Sequence, residues 1–529
     1  MASDKEKRYD RQLRLWGDDG QAALESAHVC LINASPVGTE ILKNLVLPGI
    51  GKITIVDDSL VASRDLGESF FLSADSIGTN RGVATATNIS ELNDSVSINT
   101  CSESLTVILQ SSSDYFNQFS IIIATEVQSD TLLELAELLW RQHIPLLIAR
   151  SYGLIGVLRL VTETHEIVQS HPDNYHEDLR LDAPFTDLIN ITDSVDLESL
   201  DNAEHANVPY LLIIYKYLES WKRNHDNRIP ANYREKKEFK ELVRSGIRTN
   251  DDGVPLDEEN FQEAIDNVNS VLVPTTVPGA VQDIISHSYC LNVSHLSSNY
   301  WLLCSALKEF IANEGSLPVR GSIPDMIASS QRYIDLQRVY QKKSQSDINT
   351  FTSYLNQVLV SVGKAPGSIP NKDIKLFCRN SSFLRLVQTR SLSQEYNEPN
   401  VDELSNALSD SDSLLSYYIL LRAVDLFYNK YKYYPGTTGD SFDSDCAQLK
   451  SFLSSLLDEW GLNTSSAESI DDKLTEICRY GGGSVHSIAA YMGGVASQEV
   501  IKVITRQYVP INNTYIYSGV NSTSVTVAL

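Results

Sequence analysis

Basic residues are in short supply: 43 Lys and Arg stand against 68 Asp and Glu, a formal charge of −25 at pH 7. No stripe of cations interrupts that balance, which excludes a nucleic-acid binder working through phosphate contacts. Long apolar runs are missing too. The best, residues 210–215, ends at Lys216, far short of the ~20 residues that span a bilayer. The opening MASDKEKRYDRQ is charged and carries no apolar signal region. Cysteine is sparse: Cys30, Cys101, Cys290, Cys304, Cys378, Cys446 and Cys478 are scattered without a CxxC pair, several in apolar runs. That pattern predicts reduced, mostly buried thiols in the cytosol or nucleus, with neither disulfides nor zinc. Absent as well are GxxxxGK[ST], HExxH, GxSxG and an EF-hand loop, which removes the P-loop, zinc-protease, serine-hydrolase and calcium readings.

What is there is an ordinary globular composition, 42% hydrophobic and 21% charged, in 529 residues. A chain of that length is too long for one core, and two or three domains are expected. Its organising stretch is residues 28–57, HVCLINASPVGTEILKNLVLPGIGKITIVD. Val29-Cys30-Leu31-Ile32 is a short apolar run that predicts a buried strand. Ile41, Leu42, Leu45 and Val46 share one face of a helix predicted over 39–47 and stopped by Pro48-Gly49. A second strand, 53–56, ends in Asp57. Strand, turn, helix and a strand ending in an acid is the layout of a nucleotide-binding βαβ unit.

The turn departs from that layout, because its three glycine places hold Asn33, Ser35 and Gly38. Glycine lets the backbone bend tightly and approach a phosphate, and Pro36 has no N–H to offer an anion. Two readings stand side by side: a nucleotide fold whose phosphate loop has decayed, and a parallel-sheet crossover that never bound a ligand. This stretch alone favours the second.

Further on, helices are predicted at 79–92 and 129–142 and strands at 96–101, 120–124 and 145–149. Alternation over the first ~150 residues indicates a parallel, doubly wound sheet. From about residue 173 helical periods take over, at 210–223, 236–244, 258–271, 300–313, 330–359 and 414–430, with loop-like joints at 273–279, 315–324 and 435–445. After Cys478 comes Gly481-Gly482-Gly483, read as a flexible joint, then a helix and two β-like segments at 514–517 and 524–528. His486 has no assignable nucleophile beside it, so a cap or solvent role is favoured over general-base chemistry. A helical block is therefore expected inside an α/β domain, with 1–172 and 478–529 forming the α/β part and 173–477 the insertion.

Several blocks go further. Residues 9–17 (YDRQLRLWG), Gly38-Thr39-Glu40-Ile41-Leu42-Lys43-Asn44 and Pro48-Gly49-Ile50-Gly51 resemble the adenylation domains of ubiquitin-like-modifier activating enzymes. Residues 317–328 (LPVRGSIPDMIA), 179–182 (LRLD), 478–481 (CRYG) and 512–519 (NNTYIYSG) are similar to the non-catalytic subunits of that family's heterodimers of the neddylation type. The resemblance implies a Rossmann-like, ThiF/MoeB-like pseudo-adenylation domain with a large, mainly α-helical insertion. It implies a catalytic partner that adenylates the C-terminal glycine of a neddylation-type modifier with Mg-ATP and captures it on a cysteine, while this chain binds no cofactor and no metal.

Position by position, the family's GxGGxG corresponds to Asn33-Ala34-Ser35-Pro36-Val37-Gly38, so only Gly38 survives, while the ribose acid is kept as Asp57. Ser59 and Asp65-Leu66-Gly67-Glu68-Ser69 replace a nucleotide-contacting Asp and Asn-x-x-Arg-Gln run, and Arg81 takes the place of the catalytic lysine. Thr125-Glu126-Val127 lies near the magnesium aspartate, Glu68 puts a negative charge where a triphosphate expects a cation, and none of the seven cysteines has the family's Cys-Thr context. One feature is retained: the family's RQL arginine, which crosses the dimer interface to the partner's ATP phosphates, is Arg11. Rival expectations are the equivalent subunit for another modifier such as SUMO, a nucleotide-dependent oxidoreductase on a degenerate Rossmann domain, and a free-standing adaptor acting through its helices.

Overall fold

A computed structural model describes residues 4–173, 175–256, 258–463 and 470–529, with the side chains of residues 4–6 excluded. The chain divides into two compact units: Met1–Ile167 with Leu386–Leu529, and Val168–Arg385. The insertion expected over 173–477 thus starts close to the observed division, but residues 386–477 cluster with the α/β part.

The first unit is built on one eight-stranded sheet. Its strands are β1 (His28–Ile32), β2 (Lys52–Val56), β3 (Ser97–Cys101), β4 (Ile121–Thr125), β5 (Leu146–Tyr152), β6 (Ile155–Val161), β7 (Thr514–Ser518) and β8 (Thr523–Val527). They lie in the order β8-β7-β6-β5-β4-β1-β2-β3. From β5 to β3 neighbours run parallel; β6, β7 and β8 each run antiparallel to the strand before them in the sheet. The central strands read VCLI, ITIV and IIIAT and are buried on both faces, as strands sandwiched between helical layers must be. Register sets Leu31 beside Ile55 on one side and Ile123 on the other.

Helices α1 (Asp4–Ser26), α2 (Pro36–Val46), α3 (Arg81–Ser90), α4 (Ser129–Arg141), α5 (Leu415–Tyr431) and α6 (His486–Thr505) belong to the same unit. Ser35 caps α2, its side chain accepting from Gly38 N–H, and Pro36 occupies the first turn, where no N–H is needed. Along α2 runs α6, brought close by Gly493: a Cβ there would sit 2.5 Å from Glu40 Cβ. Residues 1–3 lie outside the described residues, and α1 starts at Asp4.

Three further differences have local causes. β6 goes beyond the sequence expectation; a turn at Gly153 (φ +55°) reverses the chain where a Cβ would enter the Tyr480 ring. Gly481-Gly482-Gly483 is a packed turn rather than a flexible joint. Gly481 ends helix Asp471–Tyr480 in the left-handed region, Gly482 lies against the Tyr434 ring, and Gly483 O accepts from Gly153 N–H at 2.7 Å. Helix Phe442–Glu459 begins inside the expected joint at 435–445, on an Asp445 carboxylate that accepts from Gly436 N–H and Tyr433 Oη.

The second unit is helical. Tyr210–Asn224, Tyr233–Arg244 and Glu259–Val271 share a core that includes Leu211, Leu218, Phe239, Phe261 and Val268. The long helix Ser330–Ser361 adds Leu336 and Tyr340 to that core. The distinctive sequence blocks meet here. Tyr340 Oη donates to Leu179 O at 2.7 Å, Ser322 Oγ donates to Glu177 Oε1 at 3.1 Å, and the Arg180 guanidinium donates to Ser316 Oγ and Leu317 O. Gly321 (φ +84°) passes so close to the helix that a Cβ would lie 2.8 Å from Ser344 Cβ.

Candidate functional site

In the first unit the chain leaves β1 for β2 and β3 on one side and returns as β4 on the other, so the strand order reverses between β1 and β4. The crevice at the carboxyl ends of such a pair is where doubly wound sheets bind ligands. Asn33 follows β1 with φ +63°, a left-handed conformation that Asn tolerates better than most residues. Its side-chain amide donates to Thr125 O at 3.0 Å and to Glu126 O at 3.2 Å, lashing the end of β1 to that of β4. Ser35 Oγ accepts from Gly38 N–H and donates to Thr125 Oγ1 at 2.8 Å. Backbone donors of the turn are thus taken from within the fold, Gly38 N–H by Ser35, Ala34 N–H by Asp57 and Asn33 N–H by Val56 O.

Asp57 is equally occupied. It is 1% exposed, and one oxygen accepts from Ala34 N–H at 2.8 Å and Arg81 Nε at 2.7 Å while the other accepts from Ser59 N–H at 2.9 Å. Asn80 caps α3 through Val83 N–H and donates to Asp57 O at 2.7 Å, which fixes the start of the helix that carries Arg81. Asp57 and Arg81, read in the sequence as counterparts of the family's ribose acid and catalytic lysine, are bonded to each other here as a closed ion pair. Burial works against the Arg81 charge, but Asp57, with Glu126 and Asp65 behind it, outweighs burial and raises the guanidinium further. Glu126 lines the crevice, solvent-accessible yet surrounded by protein; desolvation raises its carboxyl, with Arg81 opposing and Glu68 reinforcing. Glu68 stands to one side, raised chiefly by burial, and accepts a bond from the Ser484 backbone.

Arg11 lies on α1, exposed, with no hydrogen bond or ion pair among the described residues. Its neighbour Arg14 is exposed too, but pairs with Asp10 at 3.0 Å. The segment is anchored by Trp16, whose Nε1 donates to Gln21 Oε1 at 3.1 Å and whose carbonyl accepts from Gln507 at 2.9 Å. Tyr9 is a second anchor: it is buried, accepts from Asn93 at 3.1 Å and fits over Gly49 (φ +86°), where a Cβ would lie 2.6 Å from its hydroxyl. Leu15 is 60% exposed, and its carbonyl accepts from Tyr508 Oη at 3.3 Å.

His486 opens α6 and faces the buried Glu40 at 3.2 Å, stacked near Phe70. Cys30, Cys290, Cys304, Cys378 and Cys478 are buried, and burial raises the thiols of Cys30, Cys378 and Cys478 far above the ordinary range and that of Cys290 to about 11. Such thiols are not thiolates at neutral pH.

Sequence reasoning missed one feature. A cavity of about 420 Å³ starts at Asn33, Arg81 and Glu126 and runs to Arg150, Arg159 and Arg422. Its signal was present in residues 157–161 (VLRLV), an arginine within an otherwise apolar strand.

The chain matches the model of the ThiF family over residues 9–528. It is 49% identical to the NEDD8-activating enzyme E1 regulatory subunit of Gallus gallus, with 100% of this chain and 99% of that protein covered. It is 46% identical to the Danio rerio protein of the same name, over 99% of each, and 37% identical to that of Drosophila melanogaster, over 100% of this chain and 98% of that one.

Proposed function

The chain belongs to the ThiF family and, within it, to the NEDD8-activating enzyme E1 regulatory subunits; on that footing we propose that it is the non-catalytic half of a heterodimer that activates a NEDD8-type modifier in the cytosol or nucleus. In this reading the catalytic partner binds Mg-ATP, adenylates the modifier's C-terminal glycine and carries it on a cysteine. This chain scaffolds the partner's adenylation fold, offers its helical second unit as one wall of the modifier groove, and binds no nucleotide of its own. The observation that carries the reading is Asp57, which is 1% exposed and whose oxygens are turned inward to accept from Ala34, Ser59 and Arg81 rather than outward to a ribose.

Arg11 supplies the active-site contribution in trans. A guanidinium is permanently charged and forks onto two phosphate oxygens. As the α-phosphate of ATP is attacked, charge builds on the departing pyrophosphate, and a cation already in place stabilises it with little reorganisation. Arg11→Ala is expected to leave the heterodimer assembled and to slow adenylation by about 10²–10³, roughly 3–4 kcal/mol. Arg11→Lys rescues in part, since a point charge does not reproduce the fork. Arg14→Ala is the mild control, because its charge is already spent on Asp10. Pyrophosphate exchange by the variant heterodimers decides: a normal rate for Arg11→Ala, or a deeper defect for Arg14→Ala, refutes the assignment.

A further inference from the structure

The inner end of the cavity holds more positive charge than its own residues neutralise. Arg159 projects from the middle of β6, is 4% exposed and forms an ion pair with Glu395. Glu395 also accepts from Tyr418 Oη at 2.7 Å. Arg422 on α5 is 9% exposed and lies flat over Tyr396, its Cζ 3.3 Å from the ring centre. It reaches Asp425 only at 3.4 Å and Ser129 Oγ at 3.3 Å. Arg150, at the end of β5, takes the other Asp425 oxygen at 2.7 Å. Three guanidiniums thus share two carboxylates. Arg159 Nε and Nη1 and Arg422 Nε have no hydrogen-bond partner among the described residues.

A purely structural ion pair does not explain these orphans. Buried cations are stable only when their donors are satisfied, and apolar residues of equal volume serve packing as well or better. The orphaned donors belong to residues that line one chamber, whose other end carries both signs of charge, Asp58 and Glu126 with Arg64 and Arg81. The cavity's ~420 Å³ lies in the range that takes a small molecule. Tyr396, Tyr428 and Tyr434 contribute flat walls.

We infer that this chamber binds a small organic oxyanion, a carboxylate or phosphate ester, with its charged end inward on Arg150, Arg159 and Arg422 and its uncharged part between the tyrosines. The bound oxygens supply the acceptors that Arg159 and Arg422 lack. This site does not depend on the role given to Arg11, and its inner end uses neither Asp57 nor Arg81, although the same cavity reaches Asn33 at its other end.

The test is calorimetric titration of the purified full chain with inorganic phosphate and, separately, with succinate, without magnesium. One saturable site is expected for at least one of them. Arg150→Gln, which leaves Asp425 paired with Arg422, should weaken binding about tenfold or more. The charge-neutral double variant Arg159→Gln/Glu395→Gln removes the buried pair together and should abolish it, with circular dichroism confirming the fold of each variant. Phosphate alone binding identifies a phosphorylated ligand, and succinate alone a carboxylate. No saturable heat from either anion up to about 10 mM, or binding unchanged in Arg150→Gln, overturns the inference.

Discussion

Gly493 and Gly494 sit side by side in α6, and the fold requires them to respond in opposite ways to the same substitution. A methyl group at Gly493 would lie 2.5 Å from Glu40 Cβ, 2.9 Å from Glu40 C and 3.1 Å from Ile41 N, whereas one at Gly494 would meet nothing within 4 Å. Alanine in a helix interior gains about 1 kcal/mol over glycine, and at Gly494 that gain stands alone. At Gly493 it is opposed. Carbon atoms prefer separations of about 3.5–4 Å, so α2 and α6 must part by roughly 1 Å, and overpacking of this kind costs about 1–3 kcal/mol. Glu40 has no room to retreat: it is 1% exposed and paired with Lys43 and His486.

The nearest atoms are backbone or Cβ, not the far end of a flexible side chain, which puts the cost in the upper half of that range. Gly493→Ala should therefore be destabilised by about 1–2 kcal/mol, and Gly494→Ala stabilised by about 0.5–1 kcal/mol. Thermal unfolding of the full chain and both variants, followed side by side, reads the two signs as shifts of Tm in opposite directions. If Gly493→Ala melts at or above the parent temperature, the close crossing of α2 and α6 is wrong. So would be the account of what holds the 33–38 turn, since α2 carries that turn at its head.

Three further outcomes are expected. Arg81→Met leaves the 1%-exposed Asp57 without its cation and should cost about 3–5 kcal/mol in denaturant unfolding, with Arg81→Met/Asp57→Asn recovering a large part; equal losses in the two variants refute the closed pair. His165, buried beside Arg506 with Nε2 unpartnered among the described residues, has its pKa lowered to about 4, chiefly by burial. Between its unfolded value of about 6.5 and that value the unfolded chain takes up a proton that the folded one refuses, so stability falls with pH across this window, by at most about 3 kcal/mol. His165→Gln should flatten that part of a Tm-against-pH profile, and an unchanged slope tells against it. Calorimetric titration of the isolated chain with Mg-ATP should give no micromolar binding, and a clear saturable heat there would contradict the occupied state of Asp57.

Much of the first unit was legible because its strands announce themselves locally. VCLI, ITIV and IIIAT are short, β-branched and bounded by polar residues, and a strand buried on both faces has no other pattern to show. α2 was expected over 39–47 and starts earlier, at Pro36, because Ser35 and Pro36, read as a spoiled phosphate turn, cap the helix and fill its first turn. β6 was harder, since residues 155–161 carry a glycine and an arginine whose justification lies in partners distant in sequence, Met492 beside Gly156 and Glu395 beside Arg159. The Gly481–483 turn reads as loose for the same reason: glycine signals freedom in the chain, and only Tyr434 and Gly153 turn that freedom into close packing. The anchors of residues 9–17 were not legible, since Tyr9 depends on Asn93 and Gly49 and the Trp16 carbonyl on Gln507, and nothing in the stretch announces them.

Losing a phosphate loop is not simply a matter of losing glycines. Backbone donors left bare in a crevice are tolerable when an anion or water takes them, and costly when the site closes without either. Here each change in the turn answers that problem. Pro36 deletes a donor outright. Asn33 keeps the left-handed corner and spends its amide on the carbonyls after β4. Ser35 supplies the acceptor that Gly38 N–H needs, and Arg81 neutralises the acid left behind at the end of β2. The substitutions therefore act as one unit. Returning glycine to 33, 35 and 36 would reopen the backbone while Arg81 still held Asp57, producing a turn with unsatisfied donors beside an acceptor already taken. Such a chain is expected to be less stable and no better at holding a nucleotide.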